Sequence, residues 1–443
     1  MRVLLISTYE QGHQPLHVAS PAAALIARGH EVRALDLAVQ RLDADAVAWA
    51  EKVGISVPMH TAMRLGIAAA GLLKEQRPSL PIAFYGLYAP VSRETTLGRV
   101  ADRVIAGEYE PALIDWIDGG RTEQVVYLGR GHFTPPARHL LPPLDNYAHL
   151  AIDDEERLVG YTEASHGCSH RCRHCPVPVI YDGRIRIVDP EVVLADVAQL
   201  VELGARHITF GDPDFLNGVH HSLRVVEAMH ARFPDVTFDC TTKVEHILRY
   251  RDAIPRLAQA GCLFVVSALE TVNDEHLVLL DKGHTTAQAA EAVEVLRASG
   301  IEPRPSFLPF LPVTSLDDVG ALVDFVVAHD LIANVDPVQY TIRLLVPEGS
   351  LLLERPELAP YIGPYDAERL TYSWTAADPR VDELQRELAA LVEAAVADEE
   401  PTGAVFLRVY RAVYEAAGRR PVAEPIPVGA TEGRPRLTEP WFC

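Results

Sequence analysis

Three cysteines lie within eight consecutive positions of the chain, as Cys168, Cys172 and Cys175. Thiolates at this Cys-x3-Cys-x2-Cys spacing can hold one iron–sulfur cluster from a single short loop, because thiolates are the usual ligands of such clusters. Three protein thiolates leave one iron of a four-iron cube without a protein ligand, and an open metal position permits chemistry as well as scaffolding. The motif therefore predicts a 4Fe-4S cluster with one iron free to bind a small chelating molecule.

Two other uses of three clustered cysteines stay open at this point. A structural zinc ion usually takes four ligands, and His170 or His174 could supply the fourth. A ferredoxin-like cluster would need a fourth cysteine nearby, and Cys240, Cys262 and Cys443 are distant along the chain. The short apolar start of the chain is typical of a buried strand rather than a secretory signal, which favours metal or redox chemistry over disulfides.

Composition limits the classes of partner. The 443 residues include 40 basic and 61 acidic side chains, which gives a net charge of −21. This excess of negative charge would repel a phosphate backbone on average, so we expect no nucleic-acid partner. We also expect no membrane partner, because no apolar run reaches the roughly 20 residues that cross a bilayer. The chain is predicted to be cytoplasmic and long enough for two or three domains.

Residues 1–120 alternate between short apolar runs and helical segments, which predicts an α/β fold with a doubly wound, Rossmann-like parallel sheet. The predicted strands cover residues 3–7, 31–36, 52–57, 81–85 and 103–106. Residues 121–155 contain four prolines and little periodicity, so they are predicted to form a linker.

A second alternating series fills residues 156–345 and predicts a partial (β/α)6 barrel. Its predicted strands cover residues 158–163, 207–211, 237–241, 262–268, 302–307 and 337–342. In such barrels the chemistry gathers at the carboxyl ends of the strands. Residues 346–420 are predicted to be helical and residues 421–443 to form an extended tail.

The cysteine loop, placed after the first strand of the barrel series, resembles the signature of the radical S-adenosylmethionine (SAM) superfamily. This resemblance implies a 4Fe-4S cluster that reductively cleaves SAM, with electrons from a donor such as flavodoxin or ferredoxin. Gly211-Asp212-Pro213-Asp214 stands where the family has a Gly-Gly-Glu-like stretch, and Pro213 removes a backbone donor there. The residues implied to bind SAM are Asp212, Asp214, Lys243, Glu245, Ser267 and Glu270.

Residues 12–16, 29–32 and 107–110 resemble stretches of the cobalamin-binding domain often fused ahead of radical SAM barrels. The resemblance implies cobalamin as a further cofactor and, as an alternative function, a cobalamin-dependent methyltransferase acting on a small molecule or peptide. The sequence departs from that domain in two ways. It lacks an Asp-x-His-x-x-Gly motif, and it has Tyr85-Gly86-Leu87-Tyr88 where Gly-Gly is common.

Residues 7–10, 57–61, 84–90, 207–214 and 437–443 resemble a radical SAM (seleno)protein family whose tail reads Cys-Sec-Ala-Glu-Pro or Cys-Cys-Ala-Glu-Pro. The natural chain would then either end at Cys443 or continue past it through a selenocysteine codon read as a stop. The resemblance implies that Cys443 is a catalytic thiol for a small-molecule acceptor. Thiolates prefer soft acceptors such as trivalent arsenic, which would receive the 3-amino-3-carboxypropyl group of SAM. A non-enzymatic alternative is a metal- or cluster-binding sensor.

Overall fold

The computed structural model describes residues 1–91, 93–120, 123–131, 133–152, 155–419 and 434–439. Its N-terminal part is a six-stranded parallel sheet in the order β2-β1-β3-β4-β5-β6. The strands are β1 Arg2–Ser7, β2 Glu31–Asp36, β3 Lys52–Ser56, β4 Ile82–Tyr85, β5 Arg103–Gly107 and β6 Val126–Tyr127. The helices are α1 Leu16–Ala27, α2 Ala44–Trp49, α3 His60–Gln76, α4 Arg93–Thr96 and α5 Glu110–Ile117.

The predicted doubly wound sheet is confirmed, because helices cover both faces of strands that are almost wholly buried. Strands β1, β4 and β5 contribute apolar side chains to separate cores on the two faces of the sheet, and β3 contributes to one of them. Such burial on both sides is the reason why parallel strands show as near-continuous apolar runs in a sequence. The last strand, β6, comes from the segment that was predicted as a linker.

The second sheet is a curled half-barrel in the order β14-β13-β12-β11-β8-β7-β17. Strands β8 and β11 to β14 are parallel, whereas β7 and β17 add an antiparallel edge. Its strands, with the small hairpin β9–β10, are β7 His149–Ile152, β8 Glu155–Thr162, β9 Ser165–Gly167, β10 Ile185–Ile187, β11 His207–Phe210, β12 Thr237–Thr241, β13 Cys262–Glu270, β14 Glu302–Phe307 and, near the end of the chain, β17 Arg436–Leu437.

The helices that follow these strands cover the outer face of the half-barrel. They are α6 Val177–Tyr181, α7 Pro190–Glu202, α8 Val219–Arg232, α9 Val244–Arg249, α10 Ile254–Gln259, α11 Asp274–Leu280, α12 Thr286–Ala298 and α13 Leu316–Ala328. The side chain of Asp189 accepts a hydrogen bond from the backbone N–H of Glu191 at the start of α7, and Pro190 lies in the first turn. Thr285 forms a capping box at the start of α12.

The prediction of a sixth barrel strand is wrong. Residues 337–342 contain a 3-10 helix, Pro337–Tyr340, instead of a strand. Pro337 has no N–H group to donate to a ladder. The side chain of Gln339 accepts a hydrogen bond from the backbone N–H of Phe307 at 2.9 Å, so a side chain satisfies the end of β14 where a neighbouring strand would have paired.

The C-terminal region packs two long helices on the barrel core. These are α14 Pro379–Ala397 and α15 Thr402–Ala416, preceded by the hairpin β15 Ile362–Asp366 and β16 Thr371–Trp374. Buried apolar side chains of α13, α14 and α15 join the main core of the half-barrel. In the described part of the chain, every helix is too short or too polar to cross a bilayer.

Arg138 connects the two sheets. Its side chain is 1% exposed and forms two hydrogen bonds of 2.8 Å with the carboxylate of Asp196 on α7. The same guanidinium donates to the carbonyl of Tyr161 in β8 at 2.6 Å and to Gln14, which precedes α1, at 3.3 Å. This residue therefore fixes the carboxyl end of the N-terminal sheet against the carboxyl end of the half-barrel.

Candidate functional site

The three cysteines of the motif lie in the loop between β9 and α6, at the carboxyl end of the half-barrel. Gly167 just before them has φ +74°, and a Cβ there would lie 2.3 Å from the carbonyl oxygen of Arg184. Only glycine fits this close approach, which closes the β9–β10 hairpin beneath the loop. Across the loop, the backbone N–H of Arg173 donates to the carbonyl of Leu280 at 2.9 Å. The loop is thus held from both sides.

The thiols of Cys168, Cys172 and Cys175 fit an iron–sulfur cluster. All are free, and Cys168 and Cys172 are only 8% and 7% exposed. Burial, together with the charges of the other two thiols, raises the pKa of Cys175 to about 12. Buried thiolates crowded together are costly unless a bound cation compensates their charge. The donor set therefore suits a metal group that keeps all three sulfurs deprotonated.

Glu270 at the end of β13 anchors a buried ion network beside the cysteines. Its carboxylate contacts Nζ of Lys282 at 3.0 Å and Nε2 of His174 at 2.9 Å. Burial favours the neutral acid, but Lys282 and His174 outweigh it and hold the pKa of Glu270 well below its usual value. Glu270 also has φ +64°, an uncommon conformation for a residue other than glycine.

The same network bears on the zinc alternative. His174 was one of two candidates for a fourth zinc ligand, and its Nε2 is already paired with Glu270. The other candidate, His170, lies with Nε2 at 3.3 Å from Nε2 of His246 and 3.8 Å from Asp214. Both imidazoles are therefore engaged by groups other than the three thiols.

Asp212 and Asp214 follow β11 and serve the cysteine loop in different ways. The carboxylate of Asp212 accepts hydrogen bonds from the N–H of Ala164 at 2.9 Å and the hydroxyl of Ser165 at 2.5 Å, which fixes the chain entering the loop. Burial raises the pKa of Asp212 to about 7 despite these two bonds. Asp214 caps the 3-10 helix Phe215–Gly218 through its side chain.

The remaining predicted cofactor residues meet at the ends of β12 and β13. Lys243 is buried, and its Nζ lies 3.9 Å from Oε2 of Glu245. A Cβ at Gly283 would come within 2.8 Å of the same carboxylate, so the loop after α11 closes on the loop after β12. Ser267 in β13 is buried, and among the described residues its hydroxyl has no hydrogen-bond partner. An unpaired buried hydroxyl of this kind is available to a bound molecule.

The structure thus brings all six predicted cofactor residues to the edge that carries the three cysteines. Cys443 lies outside the described residues. Asn217 was missed by the sequence interpretation, although its side-chain oxygen accepts from the N–H of Ser169 at 3.2 Å and the hydroxyl of Ser169 at 2.7 Å. No motif marks Asn217, and only the contact with the loop reveals it.

A cavity of about 210 Å³ lies inside the half-barrel, and Asp212 is among the residues that line it. Polar groups of four barrel strands line it, including Asp239 and Arg304, together with the rings of Tyr161 and Phe264. His13 from the N-terminal part stacks on Tyr161 at a ring distance of 4.8 Å. The tail closes the remaining side with Leu437 and Glu439, which the sequence interpretation had left as an extended end.

A second, smaller cavity of about 50 Å³ lies between the two sheets. Glu163 crosses this space, with Oε1 at 3.4 Å from Nε2 of His17 and Oε2 at 3.3 Å from Nε2 of His166. The other nitrogen of His166 contacts Glu108, which also accepts from the hydroxyl of Tyr181. This network joins the loop after β5 to the start of the cysteine loop.

Known proteins share this arrangement. Residues 162–326 match the family model of the radical SAM superfamily. The chain carries a radical SAM domain. This domain contains the cysteine motif, all six predicted cofactor residues and most of the half-barrel. The match identifies residues 162–326 as similar to the radical SAM superfamily and leaves the reaction and the acceptor open.

Relatives and solved structures agree with the radical SAM domain. Bacteriochlorophyllide d C-8(2)-methyltransferase of Chlorobaculum tepidum is 21% identical over 239 residues, 51% of this chain and 52% of the relative. The chain thus spans about half the length or less of the curated relatives it matches.

Two solved structures show the same fold. The cobalamin-dependent S-adenosylmethionine radical enzyme OxsB, with aqua-cobalamin and S-adenosylmethionine bound, has a TM-score of 0.71 at 14% identity and covers 89% of this chain and 67% of its own. The radical SAM methyltransferase TsrM of Kitasatospora setae, with cobalamin and a [4Fe-4S] cluster bound, has a TM-score of 0.57 at 17% identity. The match covers 74% of this chain and 73% of the TsrM chain.

The carboxyl edge of the N-terminal sheet tests the fit of cobalamin ahead of the radical SAM domain. The ring of Tyr85 is fully buried, and a Cβ at Gly54 in β3 would lie 3.1 Å from it. Gly86 follows with φ +120°, and a Cβ there would lie 3.0 Å from the carbonyl of Val57. Side chain and backbone therefore pack tightly around Gly54 and Gly86, where the cobalamin-binding domain commonly has Gly-Gly.

We expect alkaline pH to weaken the contact between the N-terminal sheet and the radical SAM domain. Burial opposes the charged imidazole of His17, but Glu163 and Glu10 outweigh it and raise its pKa to about 9. A folded-state pKa above the ordinary value of 6.5 gives stability that is complete below pH 6.5 and is lost as the pH rises through 9. Burial also opposes the ionised form of Glu163, but His17 outweighs this effect and lowers the pKa of Glu163 to about 2. The stability that the Glu163 carboxylate contributes is therefore complete above pH 4.5 and is lost as the pH falls from 4.5 through 2.

The measurement is the midpoint of thermal unfolding at pH 7.5 and at pH 10, for the wild-type chain and for Glu163→Gln. The wild type should lose more stability between these two values than the variant, because the variant lacks the carboxylate that holds the proton on His17. An equal pH dependence in both proteins would show that this pair does not contribute.

Proposed function

We propose that this chain is a radical SAM enzyme that holds a 4Fe-4S cluster through Cys168, Cys172 and Cys175 and cleaves SAM reductively. The observation that carries the proposal is the position of three free, crowded thiols at the strand ends where polar side chains of β11, β12 and β13 converge. A bound cluster would supply the electron that breaks a carbon–sulfur bond of SAM. The electron would come from a flavodoxin- or ferredoxin-like donor.

The chain's own residues suit a zwitterionic sulfonium compound. Lys243 offers a buried ammonium for a carboxylate, and the neighbouring carboxylate of Glu245 suits an amine. The free hydroxyl of Ser267 adds a hydrogen-bonding group in the same wall. Glu270 holds Lys282 and His174 in place beside the cysteines, so we assign it a positioning role.

We further propose that the tail brings a small soft acceptor to the cavity inside the half-barrel. Arg436 and Leu437 pair with β7, and Tyr9 in the N-terminal part donates a hydrogen bond to Glu439 at 3.1 Å. Arg434 at the other end of this segment forms an ion pair with Asp330. The described tail is thus fixed at both ends against the cavity that Asp212 lines.

Cys443 follows Glu439 by four residues, and four residues of chain reach at most about 14 Å. A thiolate within that reach of the cavity could present trivalent arsenic, a soft and thiophilic acceptor. One electron would break a carbon–sulfur bond of SAM and release methylthioadenosine and a 3-amino-3-carboxypropyl radical. The radical would bond to trivalent arsenic, and a second electron from the flavodoxin- or ferredoxin-like donor would release one thiolate or hydroxide ligand, so that the product again holds trivalent arsenic.

A second candidate is a cobalamin-dependent radical methyltransferase acting on a small molecule or peptide. The likeness to OxsB and TsrM over most of the chain supports it, since both bind cobalamin. The lack of an Asp-x-His-x-x-Gly motif and the presence of Tyr85-Gly86 in place of Gly-Gly speak against it. Purification in the presence of hydroxocobalamin separates the two, because a corrinoid spectrum retained after desalting would favour methyl transfer.

The experiment combines anaerobically reconstituted protein with a reductant, SAM and arsenite, followed by mass spectrometry of nucleosides and arsenic compounds. We expect methylthioadenosine and a compound with a new arsenic–carbon bond, and Cys443→Ser should lose the arsenic product while it still cleaves SAM. The same chain extended by Cys-Ala-Glu-Pro tests the completed tail. SAM cleavage without any arsenic product from either chain would refute the acceptor and leave the SAM chemistry standing.

A further inference from the structure

Three metal-binding side chains from different elements converge next to the cysteine loop. His170 belongs to the loop itself, Asp214 follows β11, and His246 lies on α9 after β12. One donor atom from each lies within 4.8 Å of the other two. Because a loop, a strand end and a helix each contribute one group, the convergence is a feature of the fold rather than of local sequence.

The distances suit a single small cation. Oδ2 of Asp214 lies 2.7 Å from Nδ1 of His246 and 3.8 Å from Nε2 of His170. Zinc binds imidazole nitrogen and carboxylate oxygen at about 2.0–2.2 Å, which in a tetrahedral site places neighbouring donors roughly 3.4 Å apart. The observed separations lie on both sides of that value, so shifts of less than about 1 Å would form the site.

The orientation of the buried groups points the same way. Among the described residues, Oδ2 of Asp214 and Nδ1 of His246 have no hydrogen bond of acceptable geometry, although they lie so close together. Both side chains are at least 96% buried. An unsatisfied buried carboxylate oxygen is costly, and a cation bound between these groups would satisfy both atoms.

Second contacts hold two of these groups in place. The other oxygen of Asp214 accepts from the N–H of Leu216 at 3.2 Å, which leaves Oδ2 directed at the imidazoles. Nδ1 of His170 lies 3.5 Å from Oε2 of Glu245. A carboxylate near the second nitrogen of a ligating histidine is the usual device that fixes its tautomer and orientation.

We propose that His170, Asp214 and His246 bind one divalent transition-metal ion, of the zinc or ferrous class, separate from the three thiols. Two imidazoles and one carboxylate suit these ions and leave coordination positions open. Since His170 belongs to the cysteine loop, the ion would tie that loop to β11 and α9. Asp214, which the family resemblance implied as a SAM-binding residue, is here a metal ligand instead. This proposal does not depend on the proposed SAM chemistry.

The test uses Co²⁺ as the probe on the full chain with Cys168, Cys172 and Cys175 all changed to Ala. This background removes the thiolates and the cluster, so visible absorption bands of Co²⁺ and metal analysis after desalting report nitrogen and oxygen ligands alone. We expect about one Co²⁺ per chain. Adding Asp214→Asn or His246→Gln should weaken binding at least about 10-fold, whereas His329→Gln on the far side of α13 should not.

Circular dichroism identifies which of the two ligand variants keeps the parental fold, and either folded variant decides the question. Absence of bound Co²⁺ in the parent, or parental affinity in a folded Asp214→Asn or His246→Gln variant, overturns the proposal. Failure here leaves the SAM chemistry untouched, because the parent protein carries no cluster.

Discussion

The variant Cys172→Ala should contain almost no iron and should leave SAM intact. Two thiolates do not hold a four-iron cluster in a loop. Cys172 is buried, and in the sequence it is the middle cysteine of the three. The expected change is from about four irons per chain to near zero after anaerobic reconstitution, with loss of all SAM cleavage. Iron and sulfide analysis measures the first effect, and liquid chromatography of nucleosides measures the second.

Cys240→Ala and Cys262→Ala are the matched controls. Both thiols are buried on neighbouring strands, β12 and β13, where they act as small core residues. These variants should bind iron and cleave SAM like the wild type, apart from a modest loss of stability. Full SAM cleavage by Cys172→Ala would show that the cysteine motif is not the cluster site.

Arg138→Met should be the most destabilising single change outside the cluster loop. It leaves the carboxylate of Asp196, which is 2% exposed, without its counter-charge, and it removes the bonds to Tyr161 and Gln14. Breaking a buried ion pair from one side costs about 3–5 kcal/mol. In a protein of this size that corresponds to a fall of about 3–5 °C in the midpoint of thermal unfolding.

Arg28→Met provides the control. Arg28 pairs with Asp118 at 2.9 Å, but its side chain is 61% exposed, and exposed pairs contribute about 1 kcal/mol or less. Differential scanning calorimetry of both variants against the wild type makes the comparison. Equal midpoints for Arg138→Met and Arg28→Met would mean that the two sheets do not depend on the buried guanidinium.

Much of the fold could be predicted because parallel strands buried on both faces show directly in the sequence. Strands β12 and β14 begin and end at the predicted residues, and the neighbouring strands differ by one or two residues in most cases. The failure at residues 337–342 has a local cause, since a proline start and the side chain of Gln339 replace the sixth strand. An apolar run in the sequence does not reveal that a short helix takes the place of the strand.

The site was predictable to the extent that it follows strand ends. Asp212, Lys243 and Ser267 were named through the resemblance to the radical SAM superfamily, and they lie at one edge because residues at the carboxyl ends of successive parallel strands meet there. Asn217 and the convergence of His170 with His246 could not be found, since they depend on how loops turn after the strands end. The docking of residues 434–439 was hidden for a related reason, because a two-residue antiparallel pairing leaves no periodic signal.

The most direct test of the central claim is the reconstitution of the wild-type chain with iron and sulfide under anaerobic conditions, followed by reduction and incubation with SAM. The account predicts about four iron and four sulfide per chain, a reduced-cluster electron paramagnetic resonance signal that changes when SAM is added, and cleavage of SAM that requires the reductant. A protein that takes up zinc in place of the cluster and returns SAM uncleaved would contradict it.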